Sequence, residues 1–388
     1  MGRHAHRRGR PGSPTAARAQ TALAGALAVV FCCTVIGLVL LWPRGAAPQP
    51  EAGFRESQTM AAEAIPAEVT VASSAPGETP RARITAGPDE GLTVPLNNAG
   101  TPGAPELEEG ERILLSRVAG PDGAASYQVL DMDRKFPLVA WLAAAAVAVV
   151  VAAAWRGLRA LLGLGITLAV IGFFLVPALL RGGPAVELAV VAGAAILFPV
   201  MFLVHGVNWK SASALGGTLT ALGVSAVLAH LAIGSAQVRG LGDDSNLLIQ
   251  IYLPTVSVGG LMLAGFIIGT LGALNDATVA QASTVAELSQ ANPVARPAEL
   301  FAGAMRVGRD HIASMVYTLV LAYIGAALPM TLLLSVAGRP LSQVLTSDVV
   351  ATELLRSVVG ALGLALAVPV TTLIAACTAD ARRLASAR

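Results

Sequence analysis

Five side chains in the C-terminal half have the chemistry to bind or relay a charged species: Asp276, Glu287, Asp310, His311 and His230. Carboxylates and imidazoles exchange protons and hold cations. Each is costly among apolar neighbours, so each is a candidate functional group by default. Asp276 ends the stretch Gly272-Ala-Leu-Asn-Asp276, and Glu287 follows 11 residues later, three helical turns on. A continuous helix would therefore put both on one face. Arg306-Val-Gly-Arg-Asp-His311 then opens the next apolar run. Residues 275–311 thus form a polar segment that either carries a proton or ion or is a salt-bridged helix junction. His230, in Leu228-Ala-His-Leu231, reads as a proton carrier or as a hydrogen-bonded packing residue. Four further positions shape backbone rather than chemistry. Pro254 and Pro329 interrupt helical hydrogen bonding and kink the runs that hold them. Gly265-x-x-x-Gly269 permits close approach between helices.

Catalytic signatures do not assemble. Gly240-Leu-Gly-Asp243 spells the Gly-x-Gly-Asp of intramembrane aspartyl proteases, but it lies between apolar runs and has no Tyr-Asp partner. Gly223-Val-Ser-Ala226 offers a serine without a suitable later histidine. HExxH, a phosphate-binding P-loop and GxGxxG do not occur. No catalytic residue, metal site or cofactor is expected, and the chain is not expected to be an enzyme. Cys32, Cys33 and Cys377 all sit in apolar runs, so they form no disulfide framework.

The elements that carry these residues follow from composition. Apolar residues make up 55% of the 388-residue chain and charged ones only 13%, and mean hydropathy is +0.68. Soluble domains carry about 25% charged residues. A bilayer crossing needs about 20 mostly apolar residues. Ala19–Trp42 is the first such run. Seven more follow: Phe136–Trp155, Ala160–Leu180, Ala185–Val204, Ala212–Ala236, Leu247–Leu274, Ile312–Ser335 and Ser357–Thr378. The fold class is therefore an all-α polytopic membrane bundle of about 8 helices. With the N-terminus inside, short segments on the cytoplasmic side hold 14 Lys and Arg and those outside hold 4 (Arg181, Arg239, Arg339 and Arg356). The positive-inside rule then puts both termini in the cytoplasm and residues 43–135 outside. The basic N-terminus, residues 1–18, serves topology, and no nucleic-acid partner is expected. A cleaved signal peptide competes with an anchor at residues 19–42; the length of the run and Pro43 and Pro48 at the cut site favour the anchor.

Residues 43–80, rich in Pro, Ala, Glu and Ser, read as a linker. Within and beyond it come short alternating runs: Glu68–Val71, Arg81–Ile84, Gly91–Val94, Glu111–Leu115 and Ser126–Leu130. Each is bounded by turn residues, as strands of a small antiparallel barrel or sandwich would be. Residues 81–135 are thus a small extracytoplasmic β domain, residues 136–378 a seven-helix bundle, and 379–388 a cytoplasmic tail.

The chain resembles the YibE/F-like family of bacterial multi-span membrane proteins. The resemblance is carried by Gly272-Ala-Leu-Asn-Asp276, Gly308-Arg-Asp-His-Ile312 with Met315, and Thr318-Leu-Val-Leu-Ala-Tyr-Ile-Gly325 followed by Leu328-Pro329. It implies a bacterial plasma-membrane location and brings no activity or site residues with it. Two functions stand. One is a transporter or channel for a small solute or ion that uses the polar segment. The other is a non-catalytic envelope assembly factor that binds a protein partner through its outer domain. A cavity reaching Asp276 and His230 would favour the first.

Overall fold

The computed structural model describes residues 14–46, 64–72, 79–97, 106–119, 125–240, 242 and 244–379. The N-terminal 13 residues, most of the linker, the C-terminal tail and part of Gly240–Asp243 lie outside the described residues. The chain divides into two compact units: Gln49–Gly157, and Met1–Pro48 together with Leu158–Arg388.

The smaller unit holds five strands, β1 (Ile65–Val71), β2 (Arg81–Ile84), β3 (Thr93–Pro95), β4 (Arg112–Ala119) and β5 (Ala125–Met132). They pair antiparallel in the order β3-β2-β1-β4-β5. Alternation of side chains sends Ile65, Ala67, Val69, Ala82, Ile84, Ile113 and Leu115 to one buried face. The sheet curls until its edges meet. Leu96, just past β3, bridges Tyr127 of β5, and the Asn97 N–H donates to the Tyr127 carbonyl at 3.2 Å. Gly110, at φ +86, turns the chain into β4 and donates its N–H to the Val69 carbonyl at 2.9 Å. The Tyr127 hydroxyl donates to Asp89 at 2.6 Å. Burial first, and then this bond to a carboxylate, hold the phenol above its usual pKa.

After the strands comes α2 (Lys135–Val170), whose backbone leaves the helical region at Ala154 (φ 49, ψ −130). Gly157 there stands so close to the Val149 carbonyl that no Cβ would fit. The break falls at the end of the first of two apolar runs, just before Arg156–Arg159 separates them in the sequence.

The larger unit contains α1 (Pro14–Leu40), the part of α2 from Leu158 on, a π turn at Ile171–Leu175, α3 (Val176–Leu180), α4 (Ala185–His205) and α5 (Trp209–Ala236). It continues with α6 (Asp244–Tyr252), α7 (Val258–Ala291), α8 (Pro297–Ala326), α9 (Leu328–Val336), α10 (Leu341–Leu345) and α11 (Asp348–Thr378). Among the described residues, six helical runs are long and apolar enough to cross a membrane. The bent pair α8–α9, at 60°, passes the same test together.

Helix boundaries depart from the hydropathy runs where local chemistry overrides apolar content. The run Leu247–Leu274 is divided between α6 and α7. Pro254 sits in the non-helical gap, and the Ser257 Oγ accepts the Gly260 N–H at 3.1 Å to cap α7. Pro254 therefore separates two helices instead of kinking one. α7 then continues past Leu274 to Ala291, so the polar stretch stays helical. α8 starts at Pro297, with Glu299 accepting the Arg296 N–H at 3.1 Å. Pro329 lies in the first turn of α9, just beyond the bend at Ala327. α11 begins at Asp348 rather than Ser357 because Glu353 and Arg356 pair one turn apart at 2.9 Å, so the charges stay within the helix.

Glycines set the packing of α5, α7 and α11. A Cβ at Gly217 would overlap Thr371 Oγ1, and one at Gly363 would overlap Ser225 Oγ, so α5 and α11 run antiparallel with backbones nearly touching. Hydroxyl pairs cross the same interfaces: Thr218 with Thr278 at 2.6 Å and Ser213 with Thr378 at 2.8 Å. Buried Gln20 donates to the Thr378 carbonyl at 2.8 Å and ties α1 to α11. The exterior is apolar by contrast, with Leu40, Phe173, Leu321 and Leu373 all exposed. The α4–α5 turn, the α7–α8 turn and the end of α11 share one end of this bundle, the near end.

Two outcomes follow. Gly217→Val must push α11 away and should cost about 1–3 kcal/mol by overpacking, read as a fall in the thermal midpoint of the detergent-purified protein; an unchanged midpoint contradicts the close approach. In a tyrosinate absorbance titration, parent minus Tyr127→Phe should place the Tyr127 phenol above 10.0. The raised value means that this stabilisation is complete below the unfolded pKa and is lost as pH rises through the folded one. A midpoint at or below 10.0 contradicts the Asp89 bond.

Candidate functional site

α7 presents one face almost without side chains. Gly265, Gly269, Gly272 and Asp276 follow one another at helical spacings of four, three and four, and all four are exposed. At Gly265 and Gly272 an added Cβ would meet nothing within 4 Å. Close helix contact occurs instead at Gly216, Gly217, Gly360 and Gly363. Among the described residues, the Asp276 carboxylate at the near end of this face makes no hydrogen bond and no salt bridge. Its charge interacts with two imidazoles, His205 of α4 and His311 of α8.

Each partner is positioned by its own helix. His205 is the last residue of α4, and Gly206 at φ +80 turns the chain away behind it. Asn208 fixes that turn: its Oδ1 accepts the Ser211 N–H at 2.9 Å, and its Nδ2 donates to the His205 carbonyl at 3.0 Å. His311 is held through the α7–α8 contact. Buried Gln281 of α7 donates from Nε2 to the Ala304 carbonyl at 2.9 Å. Gly308, one turn before His311, lies so close that a Cβ would be 3.0 Å from Gln281 Nε2. With the two helices locked there, the His311 Nε2 is buried and has no hydrogen-bond partner.

Of the residues singled out by sequence, Asp276 and His311 come together. Glu287 shares the unbroken helix and is exposed, but lies about 16 Å along the axis from Asp276. Asp310 is exposed on α8 and His230 is exposed on α5, toward the far end. Neither is among the charges that act on Asp276. His205 was not singled out. The only signal for it is the parallel course of α4 and α7, which brings a histidine ending one apolar run level with an aspartate near the end of another. Among the described residues, no three of His, Cys, Asp and Glu are grouped closely enough to hold a metal ion.

Two cavities lie away from these residues. One of 410 Å³ between α1, α4 and α5 is lined by Leu27, Val30, Val191 and Leu219. Another of 630 Å³ at the far end is lined by Arg239, Gln250, Pro254 and Ser257. Neither is lined by Asp276 or His230. Asp276 is itself exposed, at the near end of the glycine face of α7.

The arrangement separates positioning from chemistry. Asp276→Asn removes no bond and should leave the thermal midpoint unchanged. Gln281→Leu removes the buried tie to Ala304 and should cost about 0.5–1.5 kcal/mol. Calorimetry or a dye-based melt in detergent checks both, and an equally large loss for Asp276→Asn would contradict this division.

The family described as YibE/F-like protein matches residues 141–381. That range holds Asp276, His205, His311 and Gln281, and begins after the curled sheet. No curated protein and no solved structure matches the chain.

Proposed function

The chain belongs to the YibE/F-like family, and from that premise we propose that it is a multi-pass protein of the bacterial plasma membrane that moves a proton or another small solute through Asp276, His311 and His205. The observation that carries this reading is a carboxylate with no hydrogen bond or salt bridge on the side-chain-poor face of an apolar helix, facing imidazoles from two other helices. Ionisable groups in such surroundings are expensive, so a purely structural role would be met by apolar residues. Imidazole is the side chain that exchanges protons near neutral pH, and a carboxylate beside it can give or take one. In this reading a proton passes between an imidazole and the Asp276 carboxylate, and the spare His311 Nε2 is the atom that accepts it.

The membrane setting is supported by the apolar exterior and the polar, hydroxyl-rich interior. Lys135–Leu180 is 46 residues long and broken at Ala154, enough for two crossings of a core about 30 Å thick. Two crossings there and one for α8–α9 make eight. Charge bias then puts both termini and the near end in the cytoplasm, and the curled sheet outside. Packing of Gln20 and Leu23 into the bundle favours α1 as a retained anchor.

A second reading rests on the curled sheet. It has a core of its own and lies outside the family match, as a module that captures an envelope protein partner would. Deleting residues 81–130 should then lose a crosslinked partner while Asp276→Asn is silent.

The deciding experiment is proton flux into vesicles reconstituted with the full chain and loaded with a pH-sensitive dye. Asp276→Asn should reduce flux at least about tenfold, a change of about 1.4 kcal/mol or more in the barrier, at unchanged incorporation. Equal flux in parent and variant contradicts the proposal.

A further inference from the structure

A second charged cluster lies farther along the same helices, about 15 Å from Asp276 by the helical rise between Phe266 and Asp276. Arg356 of α11 reaches between two rings, its guanidinium carbon 5.1 Å from the centroid of Phe266 on α7 and 5.5 Å from that of Tyr323 on α8. Its Nη1 donates to Glu353 at 2.9 Å. Its Nε is buried with no partner, so the aromatic faces, rather than a full set of polar bonds, hold the cation in place. The clamped Tyr323 extends across α7 and donates its hydroxyl to the Gly269 carbonyl at 3.0 Å.

That contact falls at one position of the exposed glycine face. Open space adjoins Gly265 and Gly272, while Gly269 between them faces the Tyr323 oxygen, 3.4 Å from where a Cβ would stand. The ring therefore bars the strip that leads toward Asp276. Tyr323 also sits at a hinge. One turn later the Ala327 N–H is shared between the carbonyls of Tyr323 (3.3 Å) and Ile324 (3.1 Å), and α9 departs at 60°. A rotation of this last turn of α8 would lift the hydroxyl from Gly269 without disturbing the Gln281 lock at the near end.

We propose that Tyr323 is a gate, clamped by Arg356 and Phe266, that closes the glycine face of α7 between Asp276 and the far end of the bundle. The gate rests on the reading of Asp276 as the transfer site; the charge pair and two rings that hold it join α7, α8 and α11 at the point where α8 is about to bend.

The test uses the full chain with Cys32, Cys33 and Cys377 replaced by serine and a reporter Gly272→Cys, placed where a side chain has room. Labelling of right-side-out vesicles by a membrane-impermeant thiol reagent should be slow in this background. Loss of one hydrogen bond shifts an open–closed equilibrium about fivefold, so Tyr323→Phe should speed labelling by about that factor, and Arg356→Gln should do so as well. A second reporter, Gly265→Cys, lies beyond the ring and should label at the same rate in all three. Should Arg356→Gln fail to accumulate, Tyr323→Phe deletes a single oxygen and carries the test alone. Equal Gly272→Cys rates with and without the Tyr323 hydroxyl overturn the gate. Proton flux in the same vesicles separates the two claims. Faster labelling with no flux in the parent retains the gate and overturns the transfer reading.

Discussion

The larger unit depends on how closely α5 and α11 approach. Gly217 faces Thr371 and Gly363 faces Ser225 with no room for another carbon, so the two backbones set the spacing to which every other helix conforms. Where both the inner and outer faces of a helix are apolar, burial of area does not choose its partner; fit and hydrogen bonding do. The Ser213–Thr378 and Thr218–Thr278 bonds then fix the rotation of α5, α11 and α7 about their axes. Once α7 is fixed, its opposite face is fixed too. That face carries Gly265, Gly269, Gly272 and Asp276.

From this seam the rest of the site follows by short steps. Gln281 and Gly308 bring α8 against α7 and carry His311 with it. Asn208 stops α4 at His205. Three helices thus deliver one carboxylate and two imidazoles to the same end of the bundle. The charges that do serve packing, Arg356 and Glu353, are spent on each other and on aromatic rings.

Much of this is legible in the sequence. Apolar runs place α1, α4 and α5 to within a few residues, because those helices are nearly free of charge, and alternating runs bounded by turn residues place all five strands. Hydropathy fails at α7, α8 and α11, where the helix extends through polar sequence. Continuation there is decided by Ser257, Glu299 and the Glu353–Arg356 pair, which satisfy backbone or charge locally and leave no trace in an apolar average. The same blindness hid half of the polar chemistry. Arg356 reads as a loop charge when α11 is started at Ser357, and Glu353 is not considered at all. Asp276 and His311 stand out in the sequence because each is rare in its surroundings. Glu287 was grouped with them on spacing that does put it on the same face of α7 but a long way up the axis. Gly265 and Gly269 have the spacing of a helix contact, yet their face is the open one, since spacing alone does not say which side of a helix meets a neighbour.

The proposed function requires the imidazole–carboxylate end of the bundle to be in the cytoplasm and the curled sheet outside. Single cysteines in a cysteine-free background, one at Val294 in the α7–α8 turn (82% exposed) and one at Leu92 in the sheet unit (54% exposed), can be labelled with an impermeant reagent in intact cells. Leu92→Cys should label at once and Val294→Cys only after the membrane is permeabilised. Labelling of both from the same side would contradict this placement.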